Sequence, residues 1–181
     1  VSLQGLIIQN GSGTYTERWP GEPLVQCGGG IWNAGRLSLM DSTVSGNTAN
    51  EYGSGIWSTG ALTVDRSRIY GNGKPRDGGG IWSSGELIVR DSIVAGNEAW
   101  WNGGGIWSSG KMQVERSNVT GNTAEYYGGG IASDMGQATV VDSTSATTWP
   151  AIFDAATGSL AIKTDGALTY NATTGALSAT L

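Results

Sequence analysis

Along the middle of the chain the apolar positions recur with a spacing of two. Leu37 and Leu39, Leu62 and Val64, Leu87 and Val89, Met112 and Val114, and Ala138 and Val140 each flank one further residue. A helix would bury positions three and four apart, whereas a spacing of two is that of a strand with one buried face. A second short strand is expected around Val44, Ile69, Val94 and Val119. A third, rich in glycine, carries Ile31, Ile56, Ile81, Ile106 and Ile131.

These three strand signals recur together. GGGIW begins at Gly28, GSGIW at Gly53, GGGIW at Gly78 and Gly103, and GGGIA at Gly128, a period of 25 residues over five starts. Glycines follow at Gly35, Gly60, Gly85 and Gly110, and Gly-Asn steps close the units at Asn47, Asn72, Asn97 and Asn122. Three short strands and three turns in such a unit make one coil of a parallel β-solenoid, each rung about 4.8 Å above the last. Ankyrin, tetratricopeptide and leucine-rich units have other lengths and helical or Leu/Asn patterns. The expected fold is therefore all-β, a parallel β-helix of about six 25-residue rungs plus a C-terminal β tail. Val1, Leu3 and Ile8 align with Leu37, Leu39 and Val44, and residues 12–27 then form a long loop holding Trp19, Pro20, Pro23 and Cys27. The solenoid is assigned to residues 1–148. Residues 149–181, whose strand-like segments recur about every nine residues, are assigned to a tail, cap or assembly segment.

The GGGI runs, followed by VSGN (Val44–Asn47), IYGN (Ile69–Asn72), VAGN (Val94–Asn97) and VTGN (Val119–Asn122), resemble the paired GGAI and FxxN tetrapeptides of chlamydial polymorphic outer-membrane protein repeats. More broadly the chain is similar to the right-handed parallel β-helices of bacterial secreted and surface proteins. The resemblance covers roughly residues 1–145, with Val or Ile where that family has Phe and Gly where it has Ala. It implies an extracellular or cell-surface location and a role in adhesion or display. It supplies no catalytic residues. Polysaccharide lyases and hydrolases share the architecture, so fold alone does not decide between display and catalysis.

Composition narrows the alternatives. Ten basic and fifteen acidic residues give a formal charge of −5, with no basic block to displace counterions from a phosphate backbone. Nucleic acid and anionic membrane surfaces are thus unexpected partners, and no apolar run reaches the length of a membrane span. The chain lacks histidine, the commonest general base and transition-metal ligand. Cys27 is its one cysteine and is expected to be a buried thiol; nothing calls for a metal or a cofactor. Because it opens on Val, the chain is read as processed or as a segment of a longer protein.

In a solenoid, residues one period apart are stacked neighbours, so each column reads as a ladder. Asp41, Arg66, Asp91, Arg116 and Asp142 alternate in sign, as do Asp65, Arg90 and Glu115 beside them. Alternation suits exposed ion pairs and argues against a carboxylate cluster for glycoside hydrolysis or calcium. Asn47, Asn72, Asn97 and Asn122 are expected to aim amides into a turn and to take the left-handed backbone it requires. The serine column beginning at Ser42 and Ser67 is expected to stack inward, and Ser83 is placed on a turn.

Trp32, Trp57, Trp82 and Trp107 follow the inward isoleucines and should face outward in one row, extended by Tyr52, Trp100, Trp101, Tyr126 and Tyr127. Bare indoles on this scale would form an apolar patch that a monomer seldom leaves uncovered. Packing within the solenoid, cover by the chain's own tail or another protein, and carbohydrate binding are all open. The leading expectation is a non-catalytic structural or adhesive solenoid whose partners are copies of itself or other surface proteins. The alternative is a polysaccharide-active enzyme or a carbohydrate-binding module.

Overall fold

The chain winds so that each strand lies on its counterpart one repeat away. The computed structural model describes residues 1–17, 24–134 and 137–141, and beyond these the strands named below. β1 (Ser2–Gln4) and β2 (Ile7–Gln9) precede an antiparallel hairpin of β3 (Thr14–Glu17) and β4 (Leu24–Cys27). Four complete turns follow. They comprise β5 (Ile31–Asn33), β6 (Arg36–Met40) and β7 (Thr43–Ser45), then β8 (Ile56–Ser58), β9 (Ala61–Asp65) and β10 (Arg68–Tyr70). The third turn has β11 (Ile81–Ser83), β12 (Leu87–Arg90) and β13 (Ile93–Ala95), followed by the two-residue β14 (Glu98–Ala99). The fourth has β15 (Ile106–Ser108), β16 (Met112–Glu115) and β17 (Asn118–Thr120), followed by β18 (Thr123–Ala124), which pairs with β14. β19 (Ile131–Ser133) and β20 (Ala138–Val141) begin a further turn.

Three parallel sheets result, in the orders β1-β6-β9-β12-β16-β20, β17-β13-β10-β7-β2, and β19-β15-β11-β8-β5. β21 (Ile152–Phe153) extends the last of these beside β19, with Phe153 in register with Ala132. β22 (Ala161–Ile162), β23 (Leu168–Asn171) and β24 (Ala176–Ala179) form a separate antiparallel sheet. The protein is thus an all-β parallel solenoid with no helix among the described residues. Among the described residues four turns are complete, against the expected rungs of about six, because the described strands before β5 and after β17 make up only parts of turns.

Each rung sends a few apolar side chains inward. In the third turn these are Ile81, Leu87, Val89 and Val94, all fully buried. Their equivalents one rung away, Ile56, Leu62, Val64 and Ile69, stack directly on them in register. Each such side chain contributes on the order of 1.5–3 kcal/mol. The row Leu37, Leu62, Leu87 and Met112 points inward throughout, as the alternation requires.

The bends need backbone that most residues avoid. Gly78 has a φ of 67°, and a Cβ there would lie 2.7 Å from the Ile81 carbonyl oxygen, so this glycine column is sterically obligatory. Asp41, Arg66, Asp91 and Arg116 also sit at positive φ, between 45° and 49°, at the bend between the first and second sheets. The Asn column departs from expectation here. At the bend that follows the second sheet, after β7, β10, β13 and β17, the left-handed residue is the glycine before each asparagine, Gly46, Gly71, Gly96 and Gly121. Only in the incomplete rung of β1 and β2, where the order is reversed, does an asparagine, Asn10, take that place, with a φ of 60°.

Ser83 is likewise not on a turn. It lies in β11, fully buried, and its hydroxyl has no hydrogen-bond partner. Replacing Val89 by Asp places an unpaired carboxylate among apolar rungs and should abolish the cooperative thermal transition followed by circular dichroism. Ser83→Ala removes an unsatisfied buried hydroxyl, so its melting temperature should match or exceed that of the parent. Comparable melting temperatures for both variants would contradict this packing.

Candidate functional site

The hydrogen bonds of the buried polar columns show what those columns do. Asn47 donates from Nδ2 to Oδ1 of Asn72 at 3.0 Å, and its backbone N–H reaches the same oxygen at 3.1 Å. The step repeats from Asn72 to Asn97 and from Asn97 to Asn122. Each Nδ2 also donates to a strand carbonyl, those of Ile8, Val44, Ile69 and Val94 in turn. Serines behave similarly. Ser67 Oγ accepts the Ser42 N–H at 3.0 Å and donates to the Asp65 carbonyl at 2.8 Å, and Ser92 and Ser117 repeat the pattern. Their protons are held by carbonyl oxygens, so these hydroxyls are braces and not nucleophiles.

The charge column is an exposed ladder. Arg66 forks onto Asp41 at 2.8 and 3.1 Å, and Arg116 onto Asp91 at 2.7 and 2.6 Å. Asp65 ties in Arg66 and Arg90 at 3.1 and 3.3 Å. Hydrogen bonds from Arg66 and Gln4 hold the Asp41 carboxyl below its ordinary pKa, and the Arg116 hydrogen bond does the same for Asp91. Such groups stay anionic and are unsuited to donate protons. Asp142 lies outside the described residues.

The tryptophan row faces away from the core but is not bare. Trp32 is exposed, whereas Trp57, Trp82 and Trp107 are half-buried because each covers its neighbour. Ring centroids are 5.4 Å apart for Trp32 and Trp57, 6.0 Å for Trp57 and Trp82, and 5.0 Å for Trp82 and Trp107. Tyr52 packs on Trp82 at 5.0 Å. Trp100 and Trp101 are exposed but engaged: Lys74 lies over the first at 4.4 Å and Arg76 over the second at 4.6 Å, with Tyr126 beside Trp101 at 5.8 Å.

A further column had been missed. Cys27, Tyr52, Asp77, Asn102 and Tyr127 are bridged rung to rung by isolated parallel pairings. Each stands immediately before a GGG or GSG triplet, a signal legible in the sequence but hidden by the chemical variety of the five residues. Cys27 is buried here. Asp77 is also buried, and Asn102 Nδ2 donates to its Oδ1 at 2.8 Å. Burial pushes the Asp77 carboxyl above its ordinary pKa, against the opposing pull of Asn102 and Arg76.

At one end of the tryptophan stack these columns meet in a cleft of about 560 Å³. Trp107, Trp101, Tyr126 and Tyr127 give it aromatic walls, and Arg76, Asp77, Asn102, Ser133 and Asp134 give it polar ones, with Ala132 in the next rung. Sequence reasoning named all four aromatic residues as binding candidates, and the structure brings them together. Trp32, Trp57, Trp82 and Trp100 do not line it. No group of three or more His, Cys, Asp or Glu placed to hold a metal ion occurs among the described residues. Comparison with protein-family models, curated proteins and solved structures finds no match for this chain.

The two ladders should respond differently to mutation. Asn72→Ala leaves the Asn47 backbone N–H and neighbouring buried groups unpaired, at roughly 1–3 kcal/mol each, and should lower stability in urea melts by several kcal/mol. Arg66→Ala should cost little, and less still in high salt.

Acid dependence separates the carboxylates. Asp41 and Asp91 have lowered folded pKa values, so their stabilisation is complete above the unfolded value and is lost as pH falls through the folded one. Asp77 is raised in the folded state, so stability declines as pH rises from the unfolded value through the folded one. Asp77→Asn keeps an oxygen for Asn102 and should be more stable than the parent at neutral pH, with the difference shrinking in acid. A pH-independent difference would refute this.

Proposed function

We propose that the chain is a non-catalytic structural and adhesive β-solenoid of the extracellular space or cell surface, where its partners are other copies of itself or other surface proteins. The observation that carries this reading is the disposition of the side chains. Serine and asparagine columns are bound along the axis as braces, charges pair with one another on the outside, and the aromatic residues form an extended apolar feature on the surface. A solenoid of this kind is a rigid spacer whose faces repeat, a form suited to display. The likeness of its GGGI and VxGN-type tetrapeptides to those of chlamydial polymorphic outer-membrane protein repeats supports the same location and role.

Incubation of the full chain with a panel of plant, fungal and bacterial polysaccharides tests the reading against its catalytic alternative. No new reducing ends and no unsaturated uronide absorbance should accumulate over a blank. Turnover of any substrate would replace the display reading with a polysaccharide lyase or hydrolase. Surface labelling of intact source cells with antibody to the chain should be positive, and labelling only after permeabilisation would remove the proposed location.

A further inference from the structure

The repeat itself explains why the cleft lies where it does. Along the outward row each indole is covered by the next: Trp32 by Trp57, Trp57 by Trp82, Trp82 by Trp107. In the following rung the position in register with Trp107 is Ala132. The stack therefore stops, and among the described residues no ring packs on the far side of Trp107. The column that precedes the glycine triplets changes nearby. Tyr52 packs its ring against Trp82, in the next rung, and the residue at the same sequence distance before Trp107 is Asp77. Ala132 thus leaves out a ring that the four rungs before it carry, Asp77 stands where the rung before it has Tyr52, and the cleft is lined by both.

What replaces the rings defines the chemistry. One wall is the Trp107 ring system, with Trp101, Tyr126 and Tyr127 around it. Opposite polarity is supplied by planar groups: the Asp77 carboxylate, the Asn102 amide bound to it, and the Arg76 guanidinium. Ser133 contributes a buried hydroxyl with no hydrogen-bond partner, and Arg76 a buried Nε in the same condition. The cleft's volume of about 560 Å³ is within the roughly 300–1,000 Å³ of small-molecule sites. Its charged side chains are one cation and two anions, Arg76 against Asp77 and Asp134, which disfavours phosphate and uronate groups. The cation site over the Trp101 face is already taken by Arg76, which disfavours an organic ammonium.

We infer that this cleft binds a neutral carbohydrate, with one sugar ring stacked on Trp107 in the place the repeat elsewhere gives to an indole, and its hydroxyls bound by Asp77, Asn102, Arg76 and Ser133. A pyranose has an apolar C–H face for the indole and a rim of hydroxyls that both donate and accept, matching a carboxylate, an amide and a guanidinium together. Trp57 and Trp82, each lying between two indoles, cannot serve in this way. The inference goes beyond display, giving the surface a ligand, and it does not depend on self-association.

Isothermal titration of the full chain with neutral cello-, manno-, xylo- and N-acetylchito-oligosaccharides, paired with saturation-transfer NMR, tests the site. At least one should bind, with acetyl or ring protons of one terminal or internal sugar receiving the strongest transfer. Trp107→Ala should weaken that binding about tenfold or more. Ala132→Trp, which restores the ring of the repeat, should do the same by filling the cleft. Trp32→Ala, at the other end of the stack, should leave affinity unchanged. Circular dichroism and melting curves verify folding of each variant; should Trp107→Ala fail to fold, Ala132→Trp and Asn102→Ala carry the comparison. Absence of binding by every neutral oligosaccharide at millimolar concentration would overturn the inference. So would equal affinity in the parent and Ala132→Trp, or preference for oligogalacturonate or tetramethylammonium tested alongside. Binding is read separately from turnover, so failure of this site leaves the display reading standing, and cleavage without loss in these variants defeats that reading alone.

Discussion

Parallel stacking in fixed register is the constraint on which everything else depends. Once strands such as β9, β12 and β16 pair residue for residue, every side chain must lie about 4.8 Å from its equivalents above and below. A column is then stable only if its members tolerate their own kind at that distance. Aliphatic residues do so by packing, and Ile56, Ile81 and Ile106 form a continuous dry stack. Amides do so because each carries a donor and an acceptor, which lets Asn47, Asn72, Asn97 and Asn122 form one chain of hydrogen bonds. Like charges do not, and the column of Asp41, Arg66, Asp91 and Arg116 alternates in sign for that reason.

The same constraint made most of the fold legible beforehand. A period without slippage fixes which residues are neighbours across rungs, so the inward Leu62 and Val64, the outward indoles and the paired charges could be placed from spacing alone. What a period does not carry is the direction of a side chain at a bend. Asn47 was expected to hold the left-handed backbone, but Gly46 beside it does so at lower steric cost, freeing the asparagine to turn its amide inward. At the bend that lacks a glycine, Asp41 and Arg66 adopt positive φ themselves. No local preference marks Arg for that conformation; the bend is imposed by the strands on either side, with the charge left on the outer surface.

The candidate site was half legible. Its aromatic residues stood out because Trp and Tyr are conspicuous beside Gly and Ser, yet their assembly was not, since Trp100 and Trp101 adjoin in sequence and only the second enters the cleft. Asp77 and Asn102 escaped notice because their column, from Cys27 through Tyr127, shares no chemistry from rung to rung. A repeat is recognised by sameness, and a column that changes at every step is discarded as noise even when its register is perfect. Stability explains the freedom: the residues of this column are joined by backbone pairing, so their side chains are under no demand to match.

Interruption, then, carries more information about binding than repetition does. A column that continues satisfies itself: each indole is covered by another, each amide is bound by another, and nothing is left for a ligand beyond edges. Where a column breaks, the last member presents the face or the hydrogen bonds that its missing neighbour would have taken. At the first rung Gly11, standing in the asparagine column, donates its backbone N–H to Asn47 Oδ1 at 2.9 Å, and that break is closed by the main chain. Among the described residues the break at Ala132 has no such closure. It removes a large apolar ring from beside Trp107, and the groups around it, Asp77 with Asn102 and Arg76 over Trp101, are polar and already held in place by one another. Preorganised polar groups beside one open aromatic face meet the two requirements of a small-molecule site, apolar contact and fixed orientation, without any rearrangement of the solenoid.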